Sequence, residues 1–258
     1  YKLKLPAALY RIDADARAEH RNYRSTRFVA GDAALALRGL ADRLEGRMQV
    51  DPGFAAELAR TREAAVQLVR DGLGPYAALV DAVQEAAGRD FVWVRDVTVS
   101  NSTWGNRSLR IHGPRDGVHA LGGGIGQGLP MGIGAALAAG KRRTFILCGD
   151  GGFQLSLAEL ATFAQERPDA VLVLMNDGGY GVIKNIQDAH YGGRRHYVDI
   201  LTPDFATLCR AVGLPHRRVS RIEDAPAALQ GAGPVMVEID MKAIGPFAAA
   251  FAGPPVRK

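Results

Sequence analysis

Five short runs of nearly continuous apolar residues punctuate the chain: Ala8–Ile12, Phe91–Val97, Thr144–Cys148, Val171–Met175 and Val235–Ile239. Runs of this length, without strict alternation with polar positions, predict strands covered on both faces. Between them, apolar residues recur at helical spacing over Tyr76–Ala87, Leu129–Ala139, Leu157–Glu166, Phe205–Val212 and Ala225–Gln230. Such alternation predicts an α/β domain built on a parallel β-sheet flanked by helices on both faces. The helix after Ser156 is the best marked. Ser156-Leu157-Ala158-Glu159 has the form of a capping box, and Leu157, Leu160, Ala161 and Ala164 share one face.

The N-terminal part reads differently. Residues 1–46 offer one strand, one loop and one helix, too little for a core of their own, and are expected to be the end of a domain that begins upstream. Arg47–Gly53 is loop-like, and an Ala/Glu/Arg-rich helix then runs to about Arg70, where Asp71-Gly72-Leu73-Gly74-Pro75 ends it. The expected organisation is therefore 1–46, a linker with a helix over 47–75, a main domain over 76–242 and a tail over 243–258.

Charge narrows the partners. The 258 residues carry a formal net charge of +5, with a pI near 9.4. The 32 basic residues are dispersed among 27 acids, with only small clusters such as Lys141-Arg142-Arg143, Arg194-Arg195 and Arg217-Arg218. No aromatic residues interleave with them as base-stacking platforms, so no nucleic-acid partner is expected. No apolar run approaches the roughly 20 residues of a membrane helix, so no membrane partner is expected either. Cys148 and Cys209 form neither a disulfide scaffold nor a zinc pattern, which points to a reducing cytoplasm.

Three glycine-containing segments carry the candidate chemistry. Gly122-Gly123-Gly124-Ile125-Gly126-Gln127-Gly128-Leu129-Pro130 opens a helix, but Gln127 stands where a dinucleotide fingerprint needs glycine. Taken alone it reads as close helix packing. Gly149-Asp150-Gly151-Gly152 follows one strand directly, and Asn176-Asp177-Gly178-Gly179-Tyr180-Gly181 follows the next. An acid at the carboxyl end of a parallel strand stands where open α/β sheets bind ligands, and adjacent glycines expose amides to an anion. Each motif alone is also ordinary turn chemistry. Their spacing changes that balance: 177 − 150 = 27 residues is one loop, helix and strand, which returns the chain to an adjacent parallel strand. Two acids and two amide-rich turns at one sheet edge would make a Mg²⁺-bridged phosphate site.

The stretch from Gly149-Asp150-Gly151 to Asn176-Asp177 resembles the thiamine-diphosphate motif, Gly-Asp-Gly followed by a helix, a strand and Asn-Asn. Gly124–Ala135, Glu159-Leu160-Ala161-Thr162 and Asp204-Phe205-Ala206 through Gly213 are similar to the acetolactate synthase and benzoylformate decarboxylase group. The resemblance implies the thiamine-diphosphate-binding fold over 76–242, with the end of a central domain before it. It implies Mg²⁺ held by Asp150, Asp177 and the carbonyl of Gly179. The diphosphate would meet amides of Gly151 and Gly152, with Thr98 or Ser100 as hydroxyl donors. Ile125 matches the apolar wedge that folds the cofactor, with the Gly123 carbonyl and Ile125 amide on the aminopyrimidine edge. Tyr180 matches a common aromatic with an equally good claim to a core role. Ile183 and Ile186 match the substrate pocket, Ile183 where pyruvate decarboxylases carry an acid and Ile186 where acetolactate synthases carry Trp.

One departure bears on affinity: Asp177 stands where the family usually has Asn, and an extra negative charge weakens attraction for a diphosphate unless Mg²⁺ compensates. The resemblance further implies a longer enzyme acting on a 2-oxo acid by decarboxylation or carboligation, a homodimer or homotetramer. The glutamate that activates the cofactor belongs to an N-terminal pyrimidine domain expected outside this chain, and the chain alone is expected to be inactive. A non-catalytic thiamine-diphosphate-binding or scaffolding protein of the same fold is the alternative.

Overall fold

The structure is a computed structural model, and it describes residues 4–250. The chain divides into two compact units, residues 1–61 and 62–258. In the first, β1 (Tyr10–Asp13) and β2 (Arg27–Ala30) pair in parallel, with Tyr10 opposite Arg27. Helix α1 (Ala33–Leu44) follows, its N-terminus capped by Asp32, which accepts from the Leu35 amide. The expected strand at Ala8–Ile12 therefore starts two residues later, and β2 was not visible in the pattern because Arg27-Phe28-Val29-Ala30 is largely exposed. Helix α2 (Phe54–Leu73) contains the division between the units, which falls inside the helix and not at an end of the expected 47–75 linker.

The second unit runs α3 (Tyr76–Ala87), β3 (Phe91–Arg95), β4 (Gly117–His119), α4 (Gly128–Ala138), β5 (Arg143–Gly149), α5 (Asp150–Leu155), α6 (Glu159–Glu166), β6 (Ala170–Asn176), α7 (Gly181–Tyr191), α8 (Phe205–Ala211), β7 (His216–Val219), α9 (Ala225–Ala228), β8 (Val235–Asp240) and α10 (Met241–Ile244). Six strands form one sheet in the order β4-β3-β5-β6-β8-β7, every neighbouring pair parallel. The fold class is as the alternation predicts.

Side chains on the central strands alternate between two apolar layers. Trp93, Phe145, Leu147, Val173 and Val237 pack with α3 and α9 on one face. Val94, Ile146, Cys148, Leu174 and Met236 pack with α4, α6 and α8 on the other. Helix α4 lies so close to the sheet that a Cβ at Gly132 would stand 2.6 Å from Ile146 Cγ1. Both cysteines are buried and free. Among the described residues, no helix is long and apolar enough to cross a membrane.

Two local expectations fail. The strand expected over Phe91–Val97 stops at Arg95, because Asp96 turns its carboxylate back to the Val97 amide at 2.8 Å and ends the ladder. The capping box at Ser156 is not formed. Ser156 closes α5, its Oγ donating to the Phe153 carbonyl at 3.4 Å, and α6 begins at Glu159 behind Ala158 without a side-chain cap. The expected tail also starts inside packed structure: Tyr76 Oη donates to the Gly245 carbonyl at 2.6 Å, and Phe247 packs on the Tyr76 ring. Its last residues, 251–258, lie outside the described ones.

Candidate functional site

From β3 the chain goes outward to β4 and then returns to β5 on the other side, so the strand order reverses between β3 and β5. Ligands of open α/β sheets bind beyond the carboxyl ends of strands at such a reversal. The turns that leave β3, β5 and β6 meet there.

Asp150 is the first residue of α5, 1% exposed. Asp177 follows β6 immediately. Gly149 and Met175 are register partners, so the two strands end level and the carboxylates meet. Burial pushes Asp150 up to about 7, helped by the charge of Asp177 and a hydrogen bond shared with it. Burial also raises Asp177, against the bond from Asp150 and the charge of Lys184. Among the described residues no N–H or O–H reaches the buried Asp150 Oδ2. A like-charge pair of one buried and one half-buried carboxylate, with an unfilled acceptor, must share a proton or hold a cation. Among the described residues no group of three His, Cys, Asp or Glu side chains forms a cage, so remaining ligands must be backbone, water or a bound anion. Oxygen-only donors of this kind fit Mg²⁺ with a phosphate ligand.

The Gly179 carbonyl, the expected third ligand, lies against the β5–α5 turn, 3.3 Å from where a Cβ of Gly151 would stand. It is held by a bridge to Asp199 and by the Tyr180 amide, which donates to the Val198 carbonyl at 2.8 Å. The Tyr180 ring covers Gly151, with atoms 2.8 Å from that Cβ position. Gly151 and Gly152 are buried in the first turn of α5, where amides have no intrahelical partner. Asp177 carries compensation that the motif did not reveal. Lys184 pairs with Asp199 at 3.0 Å, donates to the Gly178 carbonyl at 3.3 Å and draws Asp177 down. Lys242 Nζ also lies against Gly178.

The remaining expected residues fall around this centre unequally. Thr98 faces the same turn, its Oγ1 3.0 Å from a Cβ position at Gly149. Ser100 is fully buried, and its Oγ has no partner among the described residues. Gly123 stands in the left-handed region at φ +75° on an exposed stretch, while Ile125 is half-buried at the rim. Gln127, which ruled out a dinucleotide fingerprint, staples this loop by donating to the carbonyls of Leu121 and Gly124. Ile183 and Ile186 lie one turn apart on α7, the first exposed and the second half-buried.

Asp96 and Glu238, both buried, were missed. Asp96, 1% exposed, accepts from the Gly126 amide at 2.9 Å and so ties the Ile125 loop to β3. Gly152 and Gly128 leave the space it occupies: a Cβ would stand 2.9 Å from its Oδ2 at the first and 2.7 Å from its Cβ at the second. The clue was the one used for Asp150, an acid ending an apolar strand. Glu238, in the middle of β8, accepts from Asn176 Nδ2 at 2.8 Å and bonds His216 at 2.9 Å. Burial raises it, but His216, Asn176 and Arg218 outweigh burial and hold it below the ordinary range. It fixes the residue before Asp177, and nothing short of the β6–β8 register reveals that.

Fold and site together define an α/β domain that presents paired carboxylates and amide-rich turns at the carboxyl ends of its parallel strands. Residues 98–239 match the family described as thiamine pyrophosphate enzyme, C-terminal TPP binding domain, and the chain belongs to that family. It is 33% identical over 247 residues to the probable 2-ketoarginine decarboxylase AruI of Pseudomonas aeruginosa, covering 92% of this chain and 43% of that protein. The benzoylformate decarboxylase of Pseudomonas aeruginosa is 27% identical over 84% of this chain and 41% of its own. An acetolactate synthase of Mycobacterium bovis is 32% identical over 57% and 24%. The chain thus spans less than half the length of these curated relatives. The solved benzoylformate decarboxylase of Polynucleobacter necessarius superposes with a TM-score of 0.57 at 22% identity, over 64% of this chain and 32% of that one, which supports the fold.

Proposed function

We propose that this chain is the diphosphate- and Mg²⁺-holding half of a thiamine-diphosphate-dependent enzyme that decarboxylates or condenses 2-oxo acids. The carrying observation is the pairing of buried Asp150 with half-buried Asp177, the Oδ2 of Asp150 without a donor among the described residues, set beside the Gly151-Gly152 turn in a chain of this family. When bound, the cofactor supplies the electron sink for carbon–carbon cleavage.

The chain's own residues hold and shape. Asp150, Asp177 and the Gly179 carbonyl would hold Mg²⁺, and first-turn amides of α5 with the Thr98 hydroxyl would meet the diphosphate. Ile125 would wedge the cofactor into its folded form, with the Gly123 carbonyl and Ile125 amide on the aminopyrimidine edge. Asp96 keeps that loop in place through Gly126. Tyr180 shields the turn from water. Ile183 and Ile186 give the substrate side of α7 an apolar wall without a proton donor, which suits a 2-oxo acid whose acid–base partners come from elsewhere.

The test is CO₂ release by the full-length protein from a panel of 2-oxo acids, with and without Mg²⁺ and thiamine diphosphate, beside calorimetric titration of the cofactor into this chain. Cofactor-dependent release is expected from the full-length protein, and weak Mg²⁺-dependent binding without turnover from the chain alone. Binding without release by the full-length protein would instead establish a non-catalytic relative, and no binding at all would overturn the reading of the acid pair.

A further inference from the structure

Beside the edge strand β4, on the face that carries Trp93, a cavity of about 270 Å³ opens between the sheet and the segment 105–117. Trp93, Leu109 and Ile111 form apolar walls, and Arg95, Asn106 and His119 supply polar groups. Arg95 and His119 are register partners across β3 and β4, so both side chains leave the same face side by side.

Among the described residues Arg95 has no counter-ion. Its Nη1 donates to Asn101 Oδ1 at 2.9 Å, and no carboxylate pairs with it among the described residues. Burial alone acts on its guanidinium, in the direction that disfavours the charge. A half-buried cation of this kind costs stability until an anion meets it. The surrounding segment adds to the bias. From Gly105 to His119 it carries Arg107, Arg110 and Arg115 against one acid, Asp116, which Arg142 already neutralises at 2.6 Å. A cleft of one charge sign with apolar walls concentrates the opposite ion.

We propose that this cavity binds a small oxyanion, a phosphate or carboxylate on a body of few heavy atoms, with the guanidinium of Arg95 as its anchor. The fork of a guanidinium matches two oxygens of such a group, and the volume lies just below the roughly 300 Å³ at which sites for larger ligands begin. The proposal is independent of the cofactor reading, since Arg95 and the walls take no part in the acid pair.

The chain carries its own reporter. Its two tryptophans, Trp93 and Trp104, lie 5.7 Å apart at this spot, and Trp93 Nε1 donates to the Gly105 carbonyl. Inorganic phosphate and propionate are titrated separately into the chain with chelator present, against sodium chloride at equal ionic strength, and tryptophan fluorescence is read. A saturable change with phosphate, propionate or both is expected, and which of them saturates assigns the oxyanion. Arg95→Gln should raise the half-saturating concentration roughly tenfold or more. A response that chloride reproduces, no response to either anion, or an unchanged half-saturation in a folded Arg95→Gln protein overturns the proposal. Should Arg95→Gln lose its native circular dichroism, Ile111→Phe, which fills the cavity from its apolar side, takes its place, and unchanged binding there overturns the proposal equally.

Discussion

Replacing Asp177 by Asn tests the acid pair without any ligand. Asp150 is pushed from 3.8 to about 7, so the metal-free fold binds a proton that the unfolded chain releases at lower pH. The contribution is fully present below the unfolded value and is lost as pH rises through the folded one. Between pH 4 and 8 the loss is on the order of 4 kcal/mol, at about 1.4 kcal/mol per pH unit between the two values. Burial is the largest single cause and the charge and hydrogen bond of Asp177 come next, so Asp177→Asn should recover part of it, about 1–2 kcal/mol at pH 8. At pH 5, where Asp150 is protonated in the fold in either protein, the gain should shrink towards zero. Urea unfolding of chelator-treated protein at the two pH values measures this, with tryptophan fluorescence reporting the unit that holds Trp93 and Trp104. An equal gain at both pH values, or none at pH 8, would refute the shared-proton reading. Affinity for thiamine diphosphate with Mg²⁺ should be kept or improved, since Asn restores the family pattern.

Asp150→Ala should abolish Mg²⁺-dependent binding of thiamine diphosphate, read by calorimetry on the full-length protein, and unchanged affinity would remove Asp150 from the metal site. Asp96→Ala leaves the Gly126 and Val97 amides without their acceptor and should cost about 1–3 kcal/mol in urea unfolding, together with weaker cofactor binding. Gly132→Ala gains up to about 1 kcal/mol of helix propensity but drives a methyl into Ile146, an overpacking cost of about 1–3 kcal/mol. It should lower the melting temperature, whereas Gly134→Ala, with open space around it, should raise it.

What the sequence reveals of this molecule is what is local. Central strands buried on both faces show as apolar runs, and Asp150 and Asp177 stand at the ends of two of them. Edge strand β7 was invisible because His216-Arg217-Arg218 is basic. Its side chains find partners far along the chain, His216 on Glu238, Arg218 on Asp240 and Arg217 on the carbonyls of Ala228 and Gln230. Helix α7 was missed for a related reason: none of its residues is fully buried, and the Asn176–Gly181 turn chemistry directly before it drew the reading, although Val182, Ile183, Ile186 and Ala189 recur at helical spacing. Ser156 misled because its hydroxyl had two helix ends within reach and took the earlier one. Asp96 was hidden inside an overlong strand, and Lys184 within a helix that had not been recognised.

The order of the strands has a consequence for synthesis. Strand β8 lies between β6 and β7, yet it is the last of the six along the chain, and β7 pairs with no other strand. As the polypeptide leaves the ribosome, β7 therefore emerges with no ladder to join, and Glu238 is not yet there to receive Asn176 and His216. The half of the sheet carrying Asp177 stays unfinished until Val235–Asp240 clears the exit tunnel. Assembly of this unit thus waits on its final strand, and for that interval the edge of β6 that β8 will cover stands unpaired, the kind of edge that invites pairing with another chain.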